Sequence, residues 1–138
     1  PDRFMTAIDL KTGQTIWREK KDEYRVRESM GISRDRKLVL AKTMDGELIG
    51  VPVNADKMDV NWKAEIKLPY ELAPTAIYTN AKYIFVPSDK GLLSAVEPKT
   101  GKTAWQYKIS NGMIKPPLVL KDRVVVSTMD GKIVMLTY

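Results

Sequence analysis

Short apolar runs alternate with turn residues along the whole chain. Leu38-Val39-Leu40-Ala41, Leu48-Ile49-Gly50-Val51, Tyr83-Ile84-Phe85-Val86 and Arg123-Val124-Val125-Val126 are rich in β-branched and aromatic residues and are separated by Gly, Asp, Asn or Pro. Runs this short, with such boundaries, read as strands. They fall into units. One unit offers strands at 28–32, 37–43, 47–51 and 61–66, and the next at 74–78, 83–88, 92–96 and 103–109. Before them stand two strands, at 4–9 and 15–19, and after them three, at 117–120, 123–128 and 132–138. The units divide the chain at 1–21, 25–67, 71–110 and 113–138.

The turns repeat in step with the strands. Met44-Asp45-Gly46, Asp89-Lys90-Gly91 and Met129-Asp130-Gly131 each join a second strand to a third, where Gly supplies the positive φ of a tight hairpin. Ala7-Ile8-Asp9-Leu10-Lys11-Thr12-Gly13-Gln14-Thr15-Ile16-Trp17 returns as Ala95-Val96-Glu97-Pro98-Lys99-Thr100-Gly101-Lys102-Thr103-Ala104-Trp105, with a degraded copy ending at Trp62. A period of about 40–50 residues built from short strands is the mark of successive propeller blades. The fold class is therefore all-β, a β-propeller of about three four-stranded antiparallel blades. Rings close with about 4–8 blades, so the expectation is the C-terminal part of a larger propeller. In the third-to-fourth-strand turn, Asp9 is placed to accept hydrogen bonds from turn amides and Gly13 to take the left-handed position. Glu97 should fit that role less well, and Asn54 to Met58 must turn differently.

Composition narrows the chemistry. There is no Cys and no His, so a disulfide, a thiolate nucleophile, a Ser-His-Asp triad and imidazole metal ligation are excluded within these residues. The net charge of +6 would suit an anionic partner, but the basic residues are spread over turns and strand ends, which argues against nucleic acid. No apolar run approaches the roughly 20 residues of a membrane span. The chain starts without Met and without a leader pattern, so a trimmed or partial chain is expected.

The segment Ala-x-Asp-x-x-Thr-Gly-x-x-x-Trp, carried by Ala7, Asp9, Thr12, Gly13 and Trp17, resembles the repeat of pyrroloquinoline-quinone-type β-propellers. That family includes quinone-dependent dehydrogenases and the lipoprotein propeller of the outer-membrane β-barrel assembly machine. The resemblance implies a blade-docking role for Trp17, Trp62 and Trp105, each capped by a neighbouring turn, with Asp9, Thr12, Gly13, Thr100 and Gly101 forming the turns. It also implies an extracytoplasmic location. Lys57 and Met58 depart from the Thr-Gly of the motif. Most propellers with such repeats bind no quinone, and no cofactor is expected here.

Asp9, Asp45, Asp89 and Asp130 sit at turn glycines, where a hydrogen-bonding role in the turn explains them better than a calcium loop does. Arg25 and Arg27 flank Val26 on the approach to an inner strand, and Lys115 holds the corresponding place in the last unit. These three, with Tyr70 beside Pro69, are the candidate partner face. The plainer reading of the two arginines is a salt bridge to Glu23 or Glu28, or simple solvation. Tyr83 and Tyr107 are expected in the core or at a blade edge. The function read from these residues is a non-catalytic binding or scaffold module, docking a protein partner or the remaining blades of a parent propeller. The alternatives are a segment of a quinone-dependent dehydrogenase, or a propeller appended to a catalytic domain such as a metallophosphoesterase. Two copies closing a six-bladed ring would be a homo-oligomeric route to closure.

Overall fold

A computed structural model describes residues 2–138. They form thirteen strands in four antiparallel sheets, each following chain order. The first sheet pairs β1 (Thr6–Ile8) with β2 (Thr15–Arg18). The second runs β3 (Val26–Ile32), β4 (Leu38–Thr43), β5 (Leu48–Pro52) and β6 (Trp62–Ala64). The third runs β7 (Tyr78–Thr79), β8 (Ile84–Pro87), β9 (Leu92–Val96) and β10 (Thr103–Lys108). The fourth holds β11 (Leu118–Val119), β12 (Arg123–Ser127) and β13 (Ile133–Thr137). A 3₁₀ turn at Asp22–Tyr24 precedes β3. The sheets stack as propeller blades and do not close into a ring.

Successive residues of a strand point to opposite faces, and both faces of the middle sheets are buried. In β4, Ala41 joins Ile49 and Val51 against Met5, Tyr24 and Val26 on the first-sheet side. Leu40, one residue earlier, joins Leu48, Trp62, Ile66, Ile84 and Val86 between the second and third sheets. Phe85, between Ile84 and Val86, turns the other way to meet Ile114, Val124 and Val126 of the fourth sheet. This two-sided burial is why Leu38–Leu40 with Ala41 in β4 and Ile84–Val86 in β8 read as unbroken apolar runs.

One hydroxyl closes each second-to-third-strand hairpin. Thr43, Ser88 and Thr128 accept hydrogen bonds from the amides of Glu47 (3.1 Å), Leu92 (3.0 Å) and Lys132 (3.2 Å). Gly46, Gly91 and Gly131 take φ of 81°, 76° and 91° in the same turns.

The inner strands differ most from expectation. β7 begins at Tyr78, not at residue 74. Pro74 has no amide proton to donate, its carbonyl accepts from Ser29 Oγ (2.6 Å), and Thr75 Oγ1 donates to the Pro87 carbonyl (2.5 Å). Side chains thus replace the ladder there. β3 starts earlier than expected, at Val26, and its register shifts between Val26 and Met30. Arg27 therefore lies on the strand. No described helix is long and apolar enough to cross a membrane.

Candidate functional site

The tryptophans and the turns meet across sheets. Trp17 Nε1 donates to the Ala55 carbonyl (3.0 Å) in the turn of the second sheet, and Trp62 Nε1 to the Pro98 carbonyl (2.9 Å) in the turn of the third. Trp62 is buried and lies flat on Gly101: a Cβ there would stand 2.6 Å from its ring. The two motif turns share a φ of 73° at Gly13 and Gly101. Asp9 Oδ1 accepts from the amides of Lys11 (2.8 Å) and Thr12 (3.3 Å). The longer Glu97 instead accepts from the Thr100 hydroxyl (3.0 Å), and no turn amide reaches its carboxylate within hydrogen-bond distance. The irregular turn at Asn54 to Met58 still supplies the carbonyl that Trp17 needs. Trp105 sits in an aromatic cluster with Tyr83, Phe85 and Tyr138, and its buried Nε1 has no partner.

The two arginines do not converge on an open site. Arg25 lies in the turn before β3, where it pairs with Asp22 (3.1 Å) and covers the Phe4 ring at 5.2 Å. Arg27 is buried and donates to Glu71 Oε2 (2.7 Å) and the Pro69 carbonyl (3.0 Å). The partners expected from the local sequence, Glu23 and Glu28, serve neither arginine. Glu28 pairs with Arg3 at 2.7 Å.

Glu71 is the centre of a buried charge network absent from the sequence reading. Lys42 Nζ donates to Glu71 Oε1 (3.1 Å), Thr75 Oγ1 (3.1 Å) and the Pro87 carbonyl (2.8 Å). Neither the Lys42 nor the Glu71 side chain is exposed to solvent. Burial lowers the Lys42 pKa; the Glu71 charge beside it opposes the shift. A lysine at the end of an apolar strand, where the third sheet has Pro87 and the fourth Ser127 at the same distance before the hairpin hydroxyl, was the signal available in the sequence.

The network fixes the loop that follows the second sheet. Glu71 is anchored inward, and the Asp89 carboxylate accepts the Leu72 amide (2.7 Å). Tyr70 and Leu72, on either side of Glu71, are left 70% and 78% exposed. Beneath them is a cleft of about 80 Å³ lined by Arg3, Arg27, Met44 and Pro74. That is far smaller than the roughly 300–1,000 Å³ of small-molecule sites, and of a size to take part of one side chain. Lys115 is exposed and lines a neighbouring cleft with Pro74, Tyr78 and Met113, so it flanks the loop on its other side. Among the described residues no three His, Cys, Asp or Glu side chains stand close enough to share a metal ion.

Four antiparallel sheets stacked in sequence, the first two each passing a tryptophan to a turn of the next, match one family along nearly the whole chain. Residues 5–137 fit the family model described as outer membrane protein assembly factor BamB. The chain belongs to this BamB-like family of propeller repeats. Among solved structures it is similar to BamB from Moraxella catarrhalis, with 24% identity and a TM-score of 0.66 over 91% of this chain and 37% of that one. It also resembles two computationally designed proteins. Ika8 shares 14% identity, with a TM-score of 0.76 over 99% of this chain and 41% of that one. Ika4 shares 15% identity, with a TM-score of 0.73 over 99% of this chain and 80% of that one. The BamB-like chain thus spans well under half the length of two of these structures, and at these identities the likeness is one of fold. A comparison with curated proteins returned no match.

Proposed function

We propose that this BamB-like chain is a propeller module that binds a protein partner through the loop face carrying Tyr70 and Leu72, flanked by Lys115. The observation that carries this reading is the anchoring of Glu71. A loop pinned by a buried ion pair holds an aromatic and an aliphatic side chain out in solvent, so little ordering entropy is lost when a partner covers them. Tyrosine is enriched at protein interfaces, with its ring buried and its hydroxyl hydrogen-bonded. Lys115, exposed beside the loop, supplies a basic flank that favours an acidic patch on the partner.

The family relationship supports an extracytoplasmic setting and a partner taking part in outer-membrane protein assembly. A photo-crosslinking residue at position 70 of the parent protein tests this reading in cells. The expected result is one discrete crosslinked protein from the cell envelope, lost when Leu72 is changed to Ala. Crosslinking that is diffuse, or unchanged in the Leu72→Ala variant, overturns it.

A further inference from the structure

At the end of the strands opposite the Tyr70 loop, one turn of the second sheet and two of the third border a groove of about 730 Å³. It is lined by Arg34, Asp35, Lys82, Glu97, Lys99 and Thr100. Both sheets are four-stranded, and the volume falls within the roughly 300–1,000 Å³ of small-molecule sites. The turns are held from within. Ser33 Oγ accepts the Leu38 amide (2.9 Å), Asn80 Oδ1 accepts the amides of Lys82 and Tyr83 (both 2.8 Å), and Trp62 Nε1 donates to the Pro98 carbonyl (2.9 Å).

The charges in the groove are unevenly matched. Both carboxylates are engaged in their own turns: Asp35 accepts from the Ser33 hydroxyl (2.6 Å) and the Lys37 amide (3.1 Å), and Glu97 from the Thr100 hydroxyl (3.0 Å). Among the described residues, Arg34, Lys82 and Lys99 form no ion pair. Lys82 stands over the Tyr83 ring at 5.3 Å. Backbone donors add to the excess. Lys99 and Thr100 correspond to Lys11 and Thr12, whose amides Asp9 caps; with Glu97 in place of Asp, the amides of Lys99 and Thr100 have no acceptor among the described residues.

We infer that this groove binds a small soluble molecule through a phosphate group, which accepts from the Lys99 and Thr100 amides and faces Arg34, Lys82 and Lys99. Successive amides of a turn form an anion-binding concavity, and cationic side chains make charge-assisted hydrogen bonds to phosphate oxygens. Two amides and three cationic side chains outnumber the roughly four acceptor positions of a carboxylate, whereas a phosphate ester offers three strongly accepting oxygens. The groove is much larger than phosphate itself, so the rest of it takes the organic body. A flat bilayer would touch the turn tips and leave the groove unfilled. The groove shares no residue with the Tyr70 loop, so this inference stands apart from the loop-face reading.

The test titrates the isotope-labelled intact chain with glucose 6-phosphate, with inorganic phosphate and with phosphatidylglycerol vesicles. The expected result is a shift of the Lys99 and Thr100 amide resonances by the sugar phosphate, with weaker binding of inorganic phosphate and no effect of the vesicles. Glu97→Asp is the decisive variant, because it keeps the charge and lets a shorter carboxylate cap the two amides as Asp9 does. It should weaken sugar-phosphate binding about tenfold, the worth of a charge-assisted hydrogen bond, while the melting temperature holds or rises. Should that variant fail to fold, Lys99→Gln is expected to weaken binding several-fold. Millimolar sugar phosphate that leaves the two amides unmoved overturns the inference, as does undiminished affinity in the folded variants. Inorganic phosphate bound as tightly as the ester would mean an adventitious ion only. Vesicles that displace the sugar phosphate would make a membrane the occupant, and either outcome overturns the inference.

Discussion

Lys42 and Glu71 are 29 residues apart in sequence and 3.1 Å apart in space, and neither side chain touches water. Their pairing joins the second sheet to the loop leading into the third. Arg27 adds a second cation to the same carboxylate, so Glu71 is the shared counter-ion of two buried cations.

Glu71→Gln therefore takes the shared counter-ion from two buried cations. Removing one partner of a buried pair costs about 3–5 kcal/mol, and a loss of that size is expected in urea unfolding of the chain. Lys42→Met leaves Glu71 still paired with Arg27 and should cost distinctly less. Equal losses in the two variants would show that the carboxylate does not serve both cations.

The motif glycines separate backbone strain from packing. Gly13 and Gly101 share a φ of 73°, but a Cβ at Gly13 meets nothing within 4 Å whereas one at Gly101 runs into Trp62. Gly13→Ala should cost about 1 kcal/mol, the penalty for an L-residue in the left-handed region. Gly101→Ala should cost about 1–3 kcal/mol more, as overpacking does, and should shift Trp62 fluorescence. Similar melting temperatures for the two variants would contradict the stacking of Trp62 on its turn.

The last hairpin responds to acid. Hydrogen bonds from the Thr128 and Ser110 hydroxyls hold the Asp130 carboxyl below its ordinary value of 3.8. A carboxyl depressed in the folded state adds stability that is complete above the unfolded value and is lost as pH falls through the folded one. Asp130→Asn should lower the melting temperature by a constant amount at neutral pH, and the gap to the unaltered chain should close as pH drops below 3.8. A gap independent of pH down to the acid transition would exclude this contribution.

Tyr70 and Leu72 carry no folding contacts that their exposure does not already forgo. The double change to Ala is expected to leave urea stability within about 0.5 kcal/mol, as surface substitutions generally do. A larger loss would mean that the loop depends on them and that their exposure is not a binding feature.

The strand units and hairpins were legible because they depend on neighbours in sequence: alternation, Asp-Gly and the glycine of each turn. The inner strands were less so, since Pro74 and Thr75 look like strand residues until Ser29 and Pro87 arrive as their partners. The charge network was invisible for a similar reason. Glu71 lies 44 residues from Arg27, and Glu23 and Glu28 are closer in the chain.

The tryptophan-to-turn bond runs one way, from lower to higher residue numbers, so the stack can in principle be lengthened by copying a whole unit with its contacts ready-made. The junction at Lys42 is the exception. A duplicate of residues 71–110 would set a second Glu71 against a sheet carrying Pro87 where Lys42 should be, leaving a buried carboxylate without its lysine. That single charge works as an address, fixing which blade follows which in an otherwise interchangeable series.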